Sequence, residues 1–249
     1  MEFFEGRILA FVIVLTRVSA FMMSAPLFSW VAIPVRIKVA VAFLTSIFFA
    51  MITPAAGSVN SIIQVFLLLA NEVVYGIALG LITTLLYSAV KISGRIAERQ
   101  MGMAMAEVMD PFTGERAQPI GMTMEILFIM LLLSVNGHHF FLRTIATSFE
   151  VFEPGTTPEL TVLVKGIISS GSLMLTMALK LAVPTIGVFM VLTVVLGILA
   201  RIAPEMNILF ISFPVRIGLG LIIITYLVPF INNYTVQFAK MLTKLLPLS

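Results

Sequence analysis

Residues 61–100 read SIIQVFLLLANEVVYGIALGLITTLLYSAVKISGRIAERQ, and no proline follows Ser61 before Pro111. As one helix rising 1.5 Å per residue, this stretch is about 60 Å long. That is roughly twice the hydrocarbon thickness of a bilayer, about 30 Å. Glu72 is its only charged residue between Ile62 and Val90. At helical spacing Glu72, Gly76, Gly80, Thr83, Thr84, Tyr87 and Lys91 fall in one stripe, while Val73, Val74, Ile77, Leu81, Ile82, Leu85 and Leu86 carry the other faces. Gly76-x-x-x-Gly80 admits the backbone of a second helix, as in many membrane helix pairs.

Four other apolar stretches repeat the pattern of one isolated charge. Arg17 stands alone between Ile8 and Val35, Glu125 between Ile120 and Leu142, Lys180 between Gly166 and Ala200, and Arg216 between Met206 and Ala239. A charge at mid-membrane costs about 2.5–3.5 kcal/mol on insertion scales, so such residues face protein or a watery path. Contacts between helices and between subunits are the expectation for Arg17, Glu72, Gly76, Gly80, Glu125, Lys180 and Arg216.

The bulk numbers agree. Of 249 residues, 60% are hydrophobic and 11% charged, against about 25% charged in an ordinary soluble domain. With a mean hydropathy of +1.12, an all-α, polytopic membrane protein is expected. The net charge of +3 comes from few residues, and no basic block alternates with stacking aromatics, so nucleic acid is not an expected partner. Cysteine is absent, which excludes disulfides and thiolate metal sites. The start Met1-Glu2-Phe3-Phe4-Glu5 is acidic and leads into a long apolar stretch containing Arg17. It reads as a retained first membrane helix, not a cleavable signal.

Proline or glycine punctuates five boundaries: Pro34–Lys38, Thr53–Gly57, Asp110–Gly114, the acidic connector Glu150–Glu159, and Arg201–Asn207. Between them, Leu160–Ala200 and 206–246 also exceed a bilayer, with Pro184, Pro214 and Pro229 as expected kinks. Residues 1–155 hold four apolar segments, and 156–249 read as a two-helix hairpin with its tip at Arg201, Pro204, Glu205 and Asn207. Arg36 and Lys38, and later Lys91, Arg95, Arg99 and Arg116, put two regions on the cytoplasmic side by the positive-inside rule. The hairpin tip then points inward too.

The segment Gln100–Pro111 carries Met101, Met103, Met105 and Met109 among small residues, and Asp110-Pro111 ends it. Met101, Met105 and Met109 share a helical face; Met101, Met103 and Met105 would share a face if extended. Methionine seals against varied shapes, but taken alone such a stripe is more often core filler. His138 and His139 are adjacent, so on a helix they diverge and do not converge on one metal. No Gly-x-Ser-x-Gly elbow, phosphate loop or His-Glu-x-x-His zinc motif occurs. Neither catalysis nor a cofactor is expected.

Arg201-Ile202-Ala203-Pro204-Glu205-Met206-Asn207-Ile208-Leu209-Phe210, followed by Phe213-Pro214 and Gly218-Leu219-Gly220-Leu221, resembles the FliR family of the bacterial flagellar type III export gate. Further family-like pieces occur in order: Pro26-x-Phe28, Pro34-x-Arg36, Glu72-x-x-x-Gly76-x-x-x-Gly80, Gln100-Met101-Gly102 to Asp110-Pro111, Asn136-Gly137-His138-His139 and Ala182-x-Pro184. The resemblance covers nearly the whole chain.

It implies a subunit that joins FliP-like and FliQ-like chains in a helical channel, through which unfolded flagellar proteins leave the cell. The first part, 1–155, would be FliP-like and the hairpin, 156–249, FliQ-like. A plug would map to Gly102–Gly114, including Met103, Met105, Met109 and Phe112; several relatives carry aromatics where this chain has Met103, Met105 and Met109. The tip 201–207 would meet an FlhB-like subunit, with an FlhA-like one in the same apparatus of the inner membrane. The competing expectation is a small-solute transporter with Arg17, Glu72, Glu125 and Lys180 along its path. An intramembrane enzyme using His138 or Glu125 is a remote third.

Overall fold

A computed structural model describes residues 2–30, 33–53, 61–103, 118–157, 159–205 and 207–245. The segment 104–117 lies outside the described residues, and with it Met105, Met109, Phe112 and Gly114 of the expected plug.

Eight helices and no strand occur among the described residues: α1 (Glu2–Ser24), α2 (Pro26–Ser29), α3 (Val35–Ile52), α4 (Ile62–Met101), α5 (Pro119–Ser134), α6 (His138–Val151), α7 (Leu160–Ile202) and α8 (Ile208–Leu245). Five are long and apolar enough to cross a membrane, or six spans if the broken pair α5 and α6 counts as one. The chain is an all-α, polytopic membrane protein.

Local chemistry sets the boundaries. Pro26 and Pro119 open α2 and α5 at the first turn, where a missing N–H costs nothing. Pro34 caps α3, and at its far end the Thr53 N–H and hydroxyl both donate to the Phe49 carbonyl. α4 runs for 40 residues, as the proline-free stretch requires, and stops where Gly102 turns to φ +79°. α7 and α8, of 43 and 38 residues, continue through Pro184, Pro214 and Pro229. At 1.5 Å per residue, α4, α7 and α8 are each about 57–65 Å long.

One boundary was not expected. The apolar stretch 120–142 is not a single segment: Val135–Gly137 separate α5 from α6, with Asn136 at φ +57°. An Asn-Gly pair is a turn signal, and asparagine tolerates the left-handed region.

Contacts divide the chain into two compact units. The first comprises 1–87, 136–172 and 238–249. Its core holds Ile13, Val14, Val18 and Phe21 of α1, Tyr75 and Leu79 of α4, and Phe141 and Ile145 of α6, with Phe238. The Phe141 ring meets those of Phe21, Phe28 and Phe238. The second comprises 88–135 and 173–237. It buries Ala97, Met101, Met124, Phe128, Leu132, Phe189, Leu227 and Ile231. This partition by contact is of a different kind from the division of the sequence at 155.

Much apolar surface stays uncovered. Only 11% of the α3 stretch is buried, and Val191, Val194 and Val195 of α7 are exposed. Contiguous apolar surface of this size belongs against lipid or another chain.

Candidate functional site

In the first unit, Arg17 and Glu72 find each other. Both are fully buried, and Arg17 Nε donates to Glu72 Oε2 at 2.5 Å. Arg17 Nη1 also donates to the carbonyls of Ser148 (2.9 Å) and Phe152 (3.0 Å). Those belong to the last turn of α6 and the residue after it, so the guanidinium caps a helix C-terminus, adding a second donor to the Ser148 carbonyl, which also accepts the Phe152 N–H at 3.0 Å. The second carboxylate oxygen, Glu72 Oε1, accepts the Gly155 N–H at 2.8 Å. Gly155 holds φ +86°, the left-handed region that favours glycine. Arg17 Nη2 is buried without a hydrogen-bond partner, and the guanidinium lies 4.8 Å from the Tyr75 ring centre and 4.5 Å from that of Phe149.

The loop after α6 is thereby fastened. The Tyr75 hydroxyl donates to the Thr157 carbonyl at 3.2 Å, and its ring stacks near Phe152 at 4.7 Å. Sequence reasoning missed Tyr75, Ser148, Phe149, Phe152 and Gly155 here. Only the turn signal Pro154-Gly155 pointed to any of them.

Gly76 and Gly80 face α1. A Cβ on Gly76 would stand 2.6 Å from both the Arg17 carbonyl oxygen and the Ala20 Cβ, and one on Gly80 would overlap Ser24. The Thr84 hydroxyl donates to the Ser24 carbonyl at 2.7 Å, satisfying an end carbonyl of α1. The buried face is wider than the stripe, since Ile82 and Leu86 are also buried.

The second unit centres on the end of α4. Arg216 Nη1 donates to the Gln100 carbonyl at 2.9 Å, and Nη2 reaches the Thr193 hydroxyl at 3.3 Å. The fully buried Met101 lies on Gly220, where a Cβ would stand 2.6 Å from Met101 Cγ. A cleft of about 530 Å³ opens beside it, lined by Met101, Gly102, Phe210, Phe213, Pro214 and Arg216. Gly102 and Met103 are half-buried at its edge of the chain. Thus the root of the expected plug is held by a cationic cap and a seated methionine.

The remaining charges are less enclosed. Lys91 Nζ meets Glu125 Oε2 at 3.3 Å, with side chains 34% and 23% exposed. Nearby, a Cβ on Gly94 would stand 2.8 Å from the Gly121 Cα, a close approach not foreseen from sequence. Lys180 is exposed on α7 without an ion-pair partner among the described residues. Arg201, Pro204, Glu205 and Asn207 at the hairpin tip are all exposed. His138 and His139 open α6, their rings 4.3 Å apart, and no cluster of three metal-binding side chains occurs among the described residues.

Comparisons with known proteins agree with the motifs. The sequence profile of bacterial export proteins, family 1, matches residues 8–242. The chain is 29% identical to the flagellar biosynthetic protein FliR of Pectobacterium carotovorum over 219 residues, covering 88% of this chain and 84% of the relative. It is 29% identical to FliR of Escherichia coli K12 over 220 residues (88% and 84%), and to FliR of Bacillus subtilis 168 over 220 residues (86% and 84%). With a family match running almost from end to end over a set of helices of this length, the chain belongs to the FliR family of bacterial export proteins.

Proposed function

We propose that this chain is the FliR-type subunit of a flagellar export gate, forming with FliP-like and FliQ-like subunits a helical channel for unfolded flagellar proteins. As a FliR-family protein it is a component of the flagellar export apparatus in the inner membrane. The finer reading rests on one observation above others: α4, α7 and α8 overshoot a bilayer, and their exposed apolar residues exceed what one chain covers. Such helices suit a tall assembly in which sister subunits supply the missing contacts.

In this reading 1–155 acts as the FliP-like part and 156–249 as the FliQ-like hairpin. The tip, with Arg201, Pro204, Glu205 and Asn207 exposed, meets an FlhB-like subunit, and an FlhA-like subunit belongs to the same apparatus. The segment Gly102–Gly114 plugs the channel, with Met103, Met105 and Met109 yielding to a passing chain. The chain does no chemistry; it is a passive conduit coupled to partners.

Purification after co-expression with the neighbouring genes tests the assembly. One stable complex containing several FliP- and FliQ-like chains supports it. A monodisperse lone chain that moves solute in liposomes overturns it. Short deletions within 103–114 test the plug: the complex assembles and the membrane leaks ions. A deleted complex that stays tight removes the plug from this segment.

The break at 135–137 favours one alternative, a small-solute transporter with a discontinuous helix. The full burial of Arg17 and Glu72 against each other speaks against it, because neither charge is left for a solute.

A further inference from the structure

The first unit carries a groove that the proposed channel does not use. It lies on α1 and α3, holds about 280 Å³, and is lined by apolar Leu15, Met22, Val39 and Phe43, with Lys38 among its lining residues. That volume is slightly below the range of small-molecule sites, about 300–1,000 Å³. It suits one flexible hydrocarbon chain better than a folded ligand.

The charge at the groove is one-sided. Arg36 and Lys38 occupy the first turn of α3, where cations oppose the helix dipole. No acidic residue occurs in the sequence between Glu5 and Glu72, and Glu72 is already committed to Arg17. Among the described residues neither Arg36 nor Lys38 has an ion-pair partner. Lys38 lines the groove and Arg36, two residues away, points to another side of α3, so an anion in the groove would satisfy Lys38 and the dipole together. The single tryptophan, Trp30, is 38% exposed four residues before Pro34 and suits a membrane interface. A lysine with its stem along apolar surface and its ammonium directed to the headgroup layer is the common arrangement at that depth.

We propose that this groove binds an anionic phospholipid, with one acyl chain along Leu15, Val39 and Phe43 and the phosphate on Lys38 at the start of α3. The site depends on the chain lying in a membrane, not on the channel reading.

Native mass spectrometry on the full chain as extracted from the membrane, with whatever subunits accompany it, tests it, with phosphatidylglycerol and phosphatidylcholine supplied in equal amounts. Wild type retains phosphatidylglycerol preferentially. K38Q lowers that retention about fivefold, in line with the attraction of one basic residue to an anionic surface. V39W fills the groove and removes retention of both lipids at this site. If a variant does not assemble, the wild-type complex decides by salt: the phosphatidylglycerol preference falls as ionic strength is raised. Equal retention of the two lipids by wild type, or a salt-independent preference, overturns the proposal. So does a zero-length carbodiimide cross-link from Lys38 to a carboxylate of a sister subunit.

Discussion

Two ion pairs in this chain differ in how far the chain itself completes them. Arg17 and Glu72 lie 55 positions apart, are wholly buried, and share their remaining hydrogen bonds with the Ser148 and Phe152 carbonyls and the Gly155 amide. Lys91 and Glu125 meet at 3.3 Å with about a quarter to a third of each side chain uncovered. The first pair is a structural joint in which the chain supplies every partner but that of Arg17 Nη2. The second is a half-finished contact on a chain whose surroundings must supply the rest. A lone charge in an apolar run therefore has two quite different fates, and burial decides between them.

The largest expected effect strikes the first pair. Arg17→Met leaves the Glu72 carboxylate buried without its cation, at a cost of about 3–5 kcal/mol. The chain should fail to accumulate in membranes by immunoblot, and R17M/E72M should recover much of the loss. If R17M accumulates as well as a Lys91 variant, the distinction between the two pairs collapses.

Gly76→Ala comes next. Its methyl would press on the α1 backbone at the Arg17 carbonyl, and overpacking of this kind costs about 1–3 kcal/mol. The midpoint of thermal unfolding in detergent should fall, and more than for Gly171→Ala, which has open space. Equal midpoints would mean that α1 does not sit against this face.

Arg216→Gln removes the cationic cap from the Gln100 carbonyl and should cost about 1 kcal/mol. Hydrogen exchange of the last turn of α4 should rise while that of the Arg17 centre does not.

The smallest effect belongs to the second pair. Lys91→Gln should change stability by less than about 1 kcal/mol, because a partly uncovered pair gains little. A larger loss seen only in the assembled complex would show that a sister subunit completes this contact, which sharpens the contrast.

The helix lengths were legible in the sequence because proline and glycine mark their ends and α4 has neither a proline nor a stop for 40 residues. The Gly76 and Gly80 stripe was legible for the same reason: helical spacing alone puts small residues on one line. The partner of Arg17 was not, since nothing local links α1 to α4 or to the end of α6. The histidine pair was legible as a helix end, yet the break before His138 was not among the expected boundaries, because Asn136-Gly137 is a short signal inside the apolar stretch 120–142. Gly94 against Gly121 escaped because Gly94 stands 14 residues beyond Gly80 and Gly121 is the one glycine of α5, and only their meeting gives them a purpose.

Gly76 and Gly102 are the same residue chosen for opposite properties. Gly76 is chosen for size, since any side chain meets α1. Gly102 has open space around the missing Cβ and a φ of +79°. What that position selects is handedness. A D-alanine introduced there by semisynthesis should be accommodated without strain, whereas its mirror image would carry a penalty of about 1–2 kcal/mol. The end of the longest uninterrupted run of this sequence is thus written in chirality, in a place where volume says nothing.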